Sequence, residues 1–203
     1  MVYIAGTPGT GKTSLAGKLA ERLEGIHVEL GKLSVKEGLT LGYDKQGDCA
    51  IIDVERLEDL LKRRFSRVDK PLIFEAPFLV KLKRPLTPKT VFILRCNPRK
   101  LAERLKAKGY KPRKVMNNLW AEILDYTLQE ALSLYPERKL HEIDVTDKSL
   151  DEVLEEALSV LEGKQKPSIG EIRWLSLLER EGLLEKLSTA PPSKALRLLL
   201  RGG

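Results

Sequence analysis

The sequence is short of several things, and each shortage excludes something. It has two cysteines, Cys49 and Cys96, in 203 residues. With no second pair there is no four-cysteine zinc site and no disulfide framework, and the simple reading is a reduced, cytoplasmic compartment. Aromatic residues make up only 5% of the chain, so stacking on nucleic-acid bases is not its theme. Trp120 and Trp174 read as core residues. The two histidines, His27 and His141, stand far apart and read as structural or surface residues. No apolar run approaches the roughly 18 residues of a membrane span, which predicts no membrane partner. Glycine 6 already belongs to a motif, so no signal peptide is expected ahead of it. Internal repeats and low-complexity tracts are missing too.

Positive charge, by contrast, is in excess. The chain carries 36 Lys and Arg against 29 Asp and Glu, a net +7. That suits anionic partners such as nucleotide phosphates or RNA. The excess is uneven. Residues 95–114 hold nine Lys or Arg against one acid, Glu103. Residues 164–203 hold eight against four, which is more than half of the net charge. A solvated or heat-tolerant surface would also explain the tail.

Short β-rich apolar runs alternate with helical patterns. Strands are expected at 2–5, 26–30, 71–75, 90–96 and 140–145. Helices are expected at 13–23, 32–37, 54–65, 99–108 and 150–161, with one long helix over 113–134. Asp53 is placed to cap the helix after it, Pro98 to start one, and Gly109 to stop it. Residues 42–47 read as a loop. The alternation predicts an α/β fold, a three-layer α/β/α P-loop NTPase with about five parallel strands. Residues 164–168 read as a linker. Beyond it, 169–187 and 193–200 read as helices on either side of Pro191-Pro192. The expected division is therefore a core at 1–163 and a basic helical extension at 164–203.

Gly6-Thr7-Pro8-Gly9-Thr10-Gly11-Lys12-Thr13 matches the phosphate-binding P-loop. Its glycines let the backbone wrap a phosphate with amide hydrogens inward, and the helix that follows adds its positive end. Gly9, Thr10, Gly11, Lys12, Thr13 and Ser14 are thus the expected ATP-binding residues. Lys12 would reach the β- and γ-phosphates, and Thr13 would hold Mg²⁺. The Asn-Lys-x-Asp guanine motif is missing, and the chain is small for a ring ATPase. A basic segment after the fourth strand points to nucleoside monophosphate kinases, which need two anion sites and a lid that excludes water.

Further residues sharpen this. Gly42-Tyr43-Asp44, Asp48-Cys49-Ala50-Ile51-Ile52-Asp53, Val91-Phe92-Ile93-Leu94-Arg95-Cys96, Glu103-Arg104-Leu105, Gly109-Tyr110, then Lys114, Asn118, Glu122, Ile123 and Glu130-Ala131 resemble the nuclear-type adenylate kinase family, isoenzyme six and its archaeal relatives. The resemblance covers roughly residues 1–162. It implies phosphoryl transfer between ATP and AMP with Mg²⁺, and slow ATP hydrolysis. It also implies a part in small-ribosomal-subunit maturation, with a small-subunit ribosomal protein and rRNA as partners. It places a monophosphate-binding segment at about 30–53 and a lid at about 106–112. Three departures stand out. Glu75-Ala76-Pro77 replaces the family's Asp-x-His, so the carboxylate that holds a Mg²⁺-bound water is kept and the histidine is lost. Lys108-Gly109-Tyr110 replaces Arg-Gly-Tyr, which keeps a charge but loses the bidentate fork. The tail lies outside the pattern.

Lys12, Arg104, Lys108 and Glu75 are the expected catalytic residues, with Lys108 also on ATP and Thr13 and Glu75 on the metal. Arg104 and Lys108, four apart, share a helix face, which reads either as lid cations or as a solvated surface. Asp44 and Asp48 read as AMP contacts or as loop structure. Asp53 reads as a contact to the monophosphate or to a metal-bound water, or as a helix cap. Arg95 ends a strand at the carboxyl edge, where ligands gather, and is expected on a phosphate. Three rival functions remain: an ATPase switch with vestigial kinase activity that releases a ribosomal protein, a kinase of another monophosphate or small metabolite, and a non-catalytic ATP- and RNA-binding assembly factor.

Overall fold

The computed structural model describes residues 1–45 and 47–201. Five parallel strands form the central sheet: β1 (Val2–Gly6), β2 (Ile26–Glu29), β5 (Leu72–Ala76), β6 (Thr90–Arg95) and β7 (Leu140–Asp144). Their spatial order is β2-β5-β1-β6-β7. All five run where the apolar runs of the sequence place them, each a residue or two different at its ends. Every pairing is parallel, so the carboxyl ends share one edge. That edge is where an open α/β sheet receives ligands.

β1 shows why both faces are covered. Tyr3 and Ala5 point into one apolar layer, Val2 and Ile4 into the other, and all four are buried. The first layer is closed by α2 (Leu30–Lys36), α3 (Val54–Phe65) and α6 (Tyr126–Leu134) through Leu30, Leu57, Leu61 and Leu128. The second is closed by α1 (Lys12–Arg22), α4 (Pro98–Ala107), α5 (Pro112–Ile123) and α7 (Leu150–Leu161). A fully buried leucine such as Leu15 or Leu101 contributes about 2 kcal/mol through removal from water.

Three expectations are corrected. The long helix over 113–134 is two helices. Between them Asp125 takes a left-handed φ of 55°. Its carboxylate turns back to the Arg95 guanidinium, an attraction that helical periodicity does not register. The loop at 42–47 belongs to an antiparallel hairpin, β3 (Thr40–Asp44) and β4 (Cys49–Ile52); Gln46 lies outside the described residues. The helix over 169–187 starts only at Trp174, and Gly182, with φ 64°, breaks it into α8 (Trp174–Arg180) and α9 (Leu184–Thr189).

The tail lies against the core. Leu178, Leu187, Ala195, Leu196 and Leu199 are buried in the same apolar cluster as Leu101, Val115 and Leu119. α10 (Pro192–Arg201) packs on both α4 and α5. The helix α10 expected at 193–200 is present, and residues 202–203 lie outside the described residues.

Candidate active site

Between β1 and α1 the chain must turn sharply and stay close to its neighbours. Gly6 meets the demand for closeness: a Cβ there would sit 2.6 Å from the Leu94 carbonyl oxygen. Gly11 meets the demand for conformation, capping α1 with φ 97°. The loop is tied by Thr10, whose hydroxyl donates to the Thr7 carbonyl at 2.9 Å. Lys12 folds over it and donates to the same carbonyl at 3.1 Å.

Lys12 is buried, and this governs its chemistry. Burial, the largest cause, lowers its pKa from 10.5 to about 8. The Lys108 charge adds to the lowering, while Glu75 and Glu122 oppose it. The ammonium is therefore poorly solvated and poised for an anion.

Thr13, on the first turn of α1, donates its hydroxyl to Glu75 Oε1 at 3.0 Å. Glu75 is buried at the end of β5. An alcohol oxygen and a carboxylate this close form a hard-oxygen pair, which suits Mg²⁺ held largely through water and phosphate. Thr13 and Glu75 are the residues that would hold it.

A cleft of about 340 Å³ joins these groups. Its walls include Gly9, Gly11, Lys12, Thr13, Ser14 and Glu75, together with Lys108 and Tyr110. The rest of the wall includes Glu29 at the end of β2, Gly31 and Lys32 in the first turn of α2, and Pro77 beyond β5. A larger groove of about 480 Å³, walled by Asp144, Glu171, Trp174 and Arg180, shares no residue with this cleft.

Several expected site residues do other work. Arg95 is corrected most sharply. Its guanidinium is enclosed, with Nε 2.8 Å from Glu122, Nη1 2.5 Å from Glu142, and Nη2 on Asp125. Burial works against its charge, but the three carboxylates prevail and push its pKa still higher. Such an arginine holds the fold and is closed to a substrate phosphate. Arg104 does not line the cleft either. Its Nη2 donates to the carbonyls of Val145 and Thr146, at 3.0 and 3.4 Å, because α4 turns it toward the end of β7. Asp53 caps α3, accepting from the Arg56 amide at 3.1 Å. Asp44 accepts from the Gly47 amide at 3.0 Å within the hairpin turn. Asp48 takes the Lys114 ammonium at 3.0 Å and so ties the hairpin to α5. None of these three aspartates lines the cleft. The lid is short: Lys108 ends α4, Gly109 turns with φ 75°, and α5 begins at Pro112.

Two features were not foreseen. The first is Glu122. Its Oε2 accepts from the Thr7 hydroxyl at 2.6 Å, and its Oε1 from Arg95, the Cys96 amide at 3.1 Å and the Trp174 indole at 3.1 Å. One buried carboxylate thus joins the P-loop, β6, α5 and the tail. The sequence offered Glu122 as one residue of the family resemblance and as a glutamate on the apolar side of a helix, but neither signal gave it a role. The second is the group at the end of β2. His27 and Glu29 are two apart and therefore share a face of the strand, and Glu29 pairs in register with Glu75.

Comparison with known proteins agrees with this geometry. Residues 2–125 match the family described as AAA domain. A protein of Archaeoglobus fulgidus named "Putative adenylate kinase" is 37% identical over 183 residues, covering 88% of this chain and 94% of that protein. One of the same name from Thermococcus onnurineus is 34% identical over 174 residues, covering 86% and 91%. Among solved structures, a gluconokinase from Sinorhizobium meliloti superimposes with a TM-score of 0.53 at 21% identity, covering 80% of this chain and 91% of that one. That last likeness concerns the fold alone.

Proposed function

The chain belongs to the adenylate-kinase-like family of P-loop proteins that includes these archaeal relatives, and from that premise we propose that it transfers the γ-phosphoryl group of ATP to a nucleoside monophosphate, AMP first among them. The observation that carries the reading is the convergence of Lys12, Lys108, Thr13 and Glu75 on one cleft whose far wall belongs to β2 and α2. That wall leads into the hairpin expected to take the monophosphate. One site thus offers places for two anions.

Each residue has a physical task. The loop amides and the α1 N-terminus hold the donor phosphates. Lys12 and Lys108 neutralise charge on the transferring group, where a loose transition state spreads it over the equatorial oxygens. Thr13 and Glu75 position Mg²⁺, which supplies further charge neutralisation when bound. The acceptor needs no base: a phosphate monoester has its second pKa near about 6 and is largely a dianion at neutral pH. Pro77, in place of a histidine, is therefore compatible with phosphoryl transfer. Water is a harder nucleophile to activate without that histidine. The short lid favours some hydrolysis nonetheless, because a four-residue turn covers little of the cleft. Slow ATP hydrolysis accompanies the proposed transfer. The part in small-subunit maturation that the sequence resemblance implies would add a partner, and the exposed Lys106, Lys111 and Arg113 at the lid are the surface available to it.

The test is ADP formation from Mg²⁺ and ATP, with and without AMP. AMP is expected to accelerate it manyfold, two ADP appearing for each AMP consumed. Lys12→Ala is expected to lose ~100- to 1000-fold in kcat, the scale of one preorganised donor to a charged transition state. Slow turnover indifferent to AMP, releasing free phosphate, would replace this reading with an ATPase switch.

A further inference from the structure

Beside the cleft, whose walls include Glu29 and Glu75, His27, Glu29 and Glu75 present one ligand atom each within 4.8 Å of one another. His27 Nε2 lies 3.8 Å from Glu75 Oε1, the oxygen that also takes the Thr13 hydroxyl. That nitrogen is enclosed and has no hydrogen-bond partner among the described residues. A buried ring nitrogen left without a partner costs free energy, so it marks a place where a ligand would be welcome. Glu29 is held meanwhile by Lys32, 2.8 Å away.

We propose that His27, Glu29 and Glu75 form a nucleotide-independent site for a first-row divalent cation such as Zn²⁺, Co²⁺ or Mn²⁺. Three arguments support it. The placement follows from strand geometry: residues 27 and 29 share a face of β2, and Glu75 lies beside Glu29 on the neighbouring strand. The ligand atoms, within 4.8 Å of one another, need to close by at most about 1.4 Å, since a four-coordinate ion at ~2.1 Å sets its ligands ~3.4 Å apart. The chemistry is selective, because imidazole favours borderline metals over Mg²⁺, which prefers an all-oxygen shell. Two carboxylates and a neutral imidazole also match the double charge of the ion, which would take over Glu29 from Lys32. The site shares Glu75 with the expected Mg²⁺ position but takes neither its phosphates nor Thr13, so it stands whatever the phosphoryl acceptor is.

The experiment uses the full chain, stripped by chelator, without nucleotide, titrated with Co²⁺ and followed by its visible absorption. One Co²⁺ is expected to bind per chain, displaced by Zn²⁺ and unmoved by excess Mg²⁺. His27→Gln and Glu29→Gln are expected to weaken it on the order of 100-fold, given that even an outer-shell partner is worth ~10–100-fold. Melting of each variant in chelator checks its folding. A second readout needs no variant: the chain has two histidines, and with ¹⁵N-histidine Zn²⁺ must shift one imidazole, not both. Absence of saturable Co²⁺ binding, unchanged affinity in His27→Gln, or Zn²⁺ leaving both imidazoles unmoved overturns the proposal.

Discussion

Lys12 shows how far one side chain's behaviour depends on its surroundings. In water a lysine stays charged to beyond pH 10, whereas burial brings this one to about 8. The linkage runs in a definite direction. Between about pH 8 and 10.5 the unfolded chain holds a proton that the folded chain has lost, so this residue makes stability rise with pH across that window. Bound phosphates reverse the local balance and favour the ammonium. ATP binding at pH 9 should therefore take up a proton, and at pH 7 Lys12 should contribute none. Calorimetry in buffers of different ionisation enthalpy measures this directly. Equal uptake at both pH values, or undiminished uptake in Lys12→Arg, would sink the assignment. Cys96 is the opposite case, a buried thiol pushed up to about 12 by desolvation and therefore inert.

Among the elements, the junctions decide the site more than the helices and strands do. The break between α5 and α6 puts Asp125 on Arg95, and α5 puts Glu122 under the P-loop. α8 then brings the Trp174 indole to Glu122. Trp174→Phe keeps the apolar body and removes one hydrogen bond, so it should cost about 1–2 kcal/mol. Leu178→Ala, at a fully buried position of the same helix, should cost about 2–5 kcal/mol by leaving a cavity. Denaturant melts read both. If Trp174→Phe also raises the KM for ATP while Leu178→Ala does not, α8 supports the P-loop through Glu122. A KM unchanged in both would confine α8 to stability.

For the whole molecule, the tail is the deciding feature. Its leucines are buried among those of α4 and α5, and Arg99 reaches Glu181 and the Leu199 carbonyl. A chain ended at residue 163 would uncover Val115, Met116 and Leu119. It should unfold well below the full chain or aggregate, and thermal melting of the two proteins compares them. An equally stable truncated protein would show that the tail merely rests on a finished core. Both arms around the cleft are fastened to this body, the hairpin through Asp48 to Lys114 and the lid through α4 and α5.

The sequence alone determined the parallel sheet, the P-loop and the groups that gather there. Those signals are local: a glycine spacing, a two-residue or near-four-residue period, a proline or aspartate at a helix start. Lys12, Thr13, Ser14, Glu75 and Lys108 were legible because a motif or a strand end fixes each within a few residues. Arg95, Arg104, Asp44, Asp48 and Asp53 were misplaced or left open, since a charge at a strand end or in a loop reads alike whether it meets a ligand or another part of the chain. Only the folded molecule brings Glu122 to Thr7, 115 residues apart, or His27 to Glu75. Only there do three carboxylates close around Arg95. Such contacts depend on how helices cross and which strands become neighbours, and those are settled by the packing of the whole chain rather than by any stretch of it.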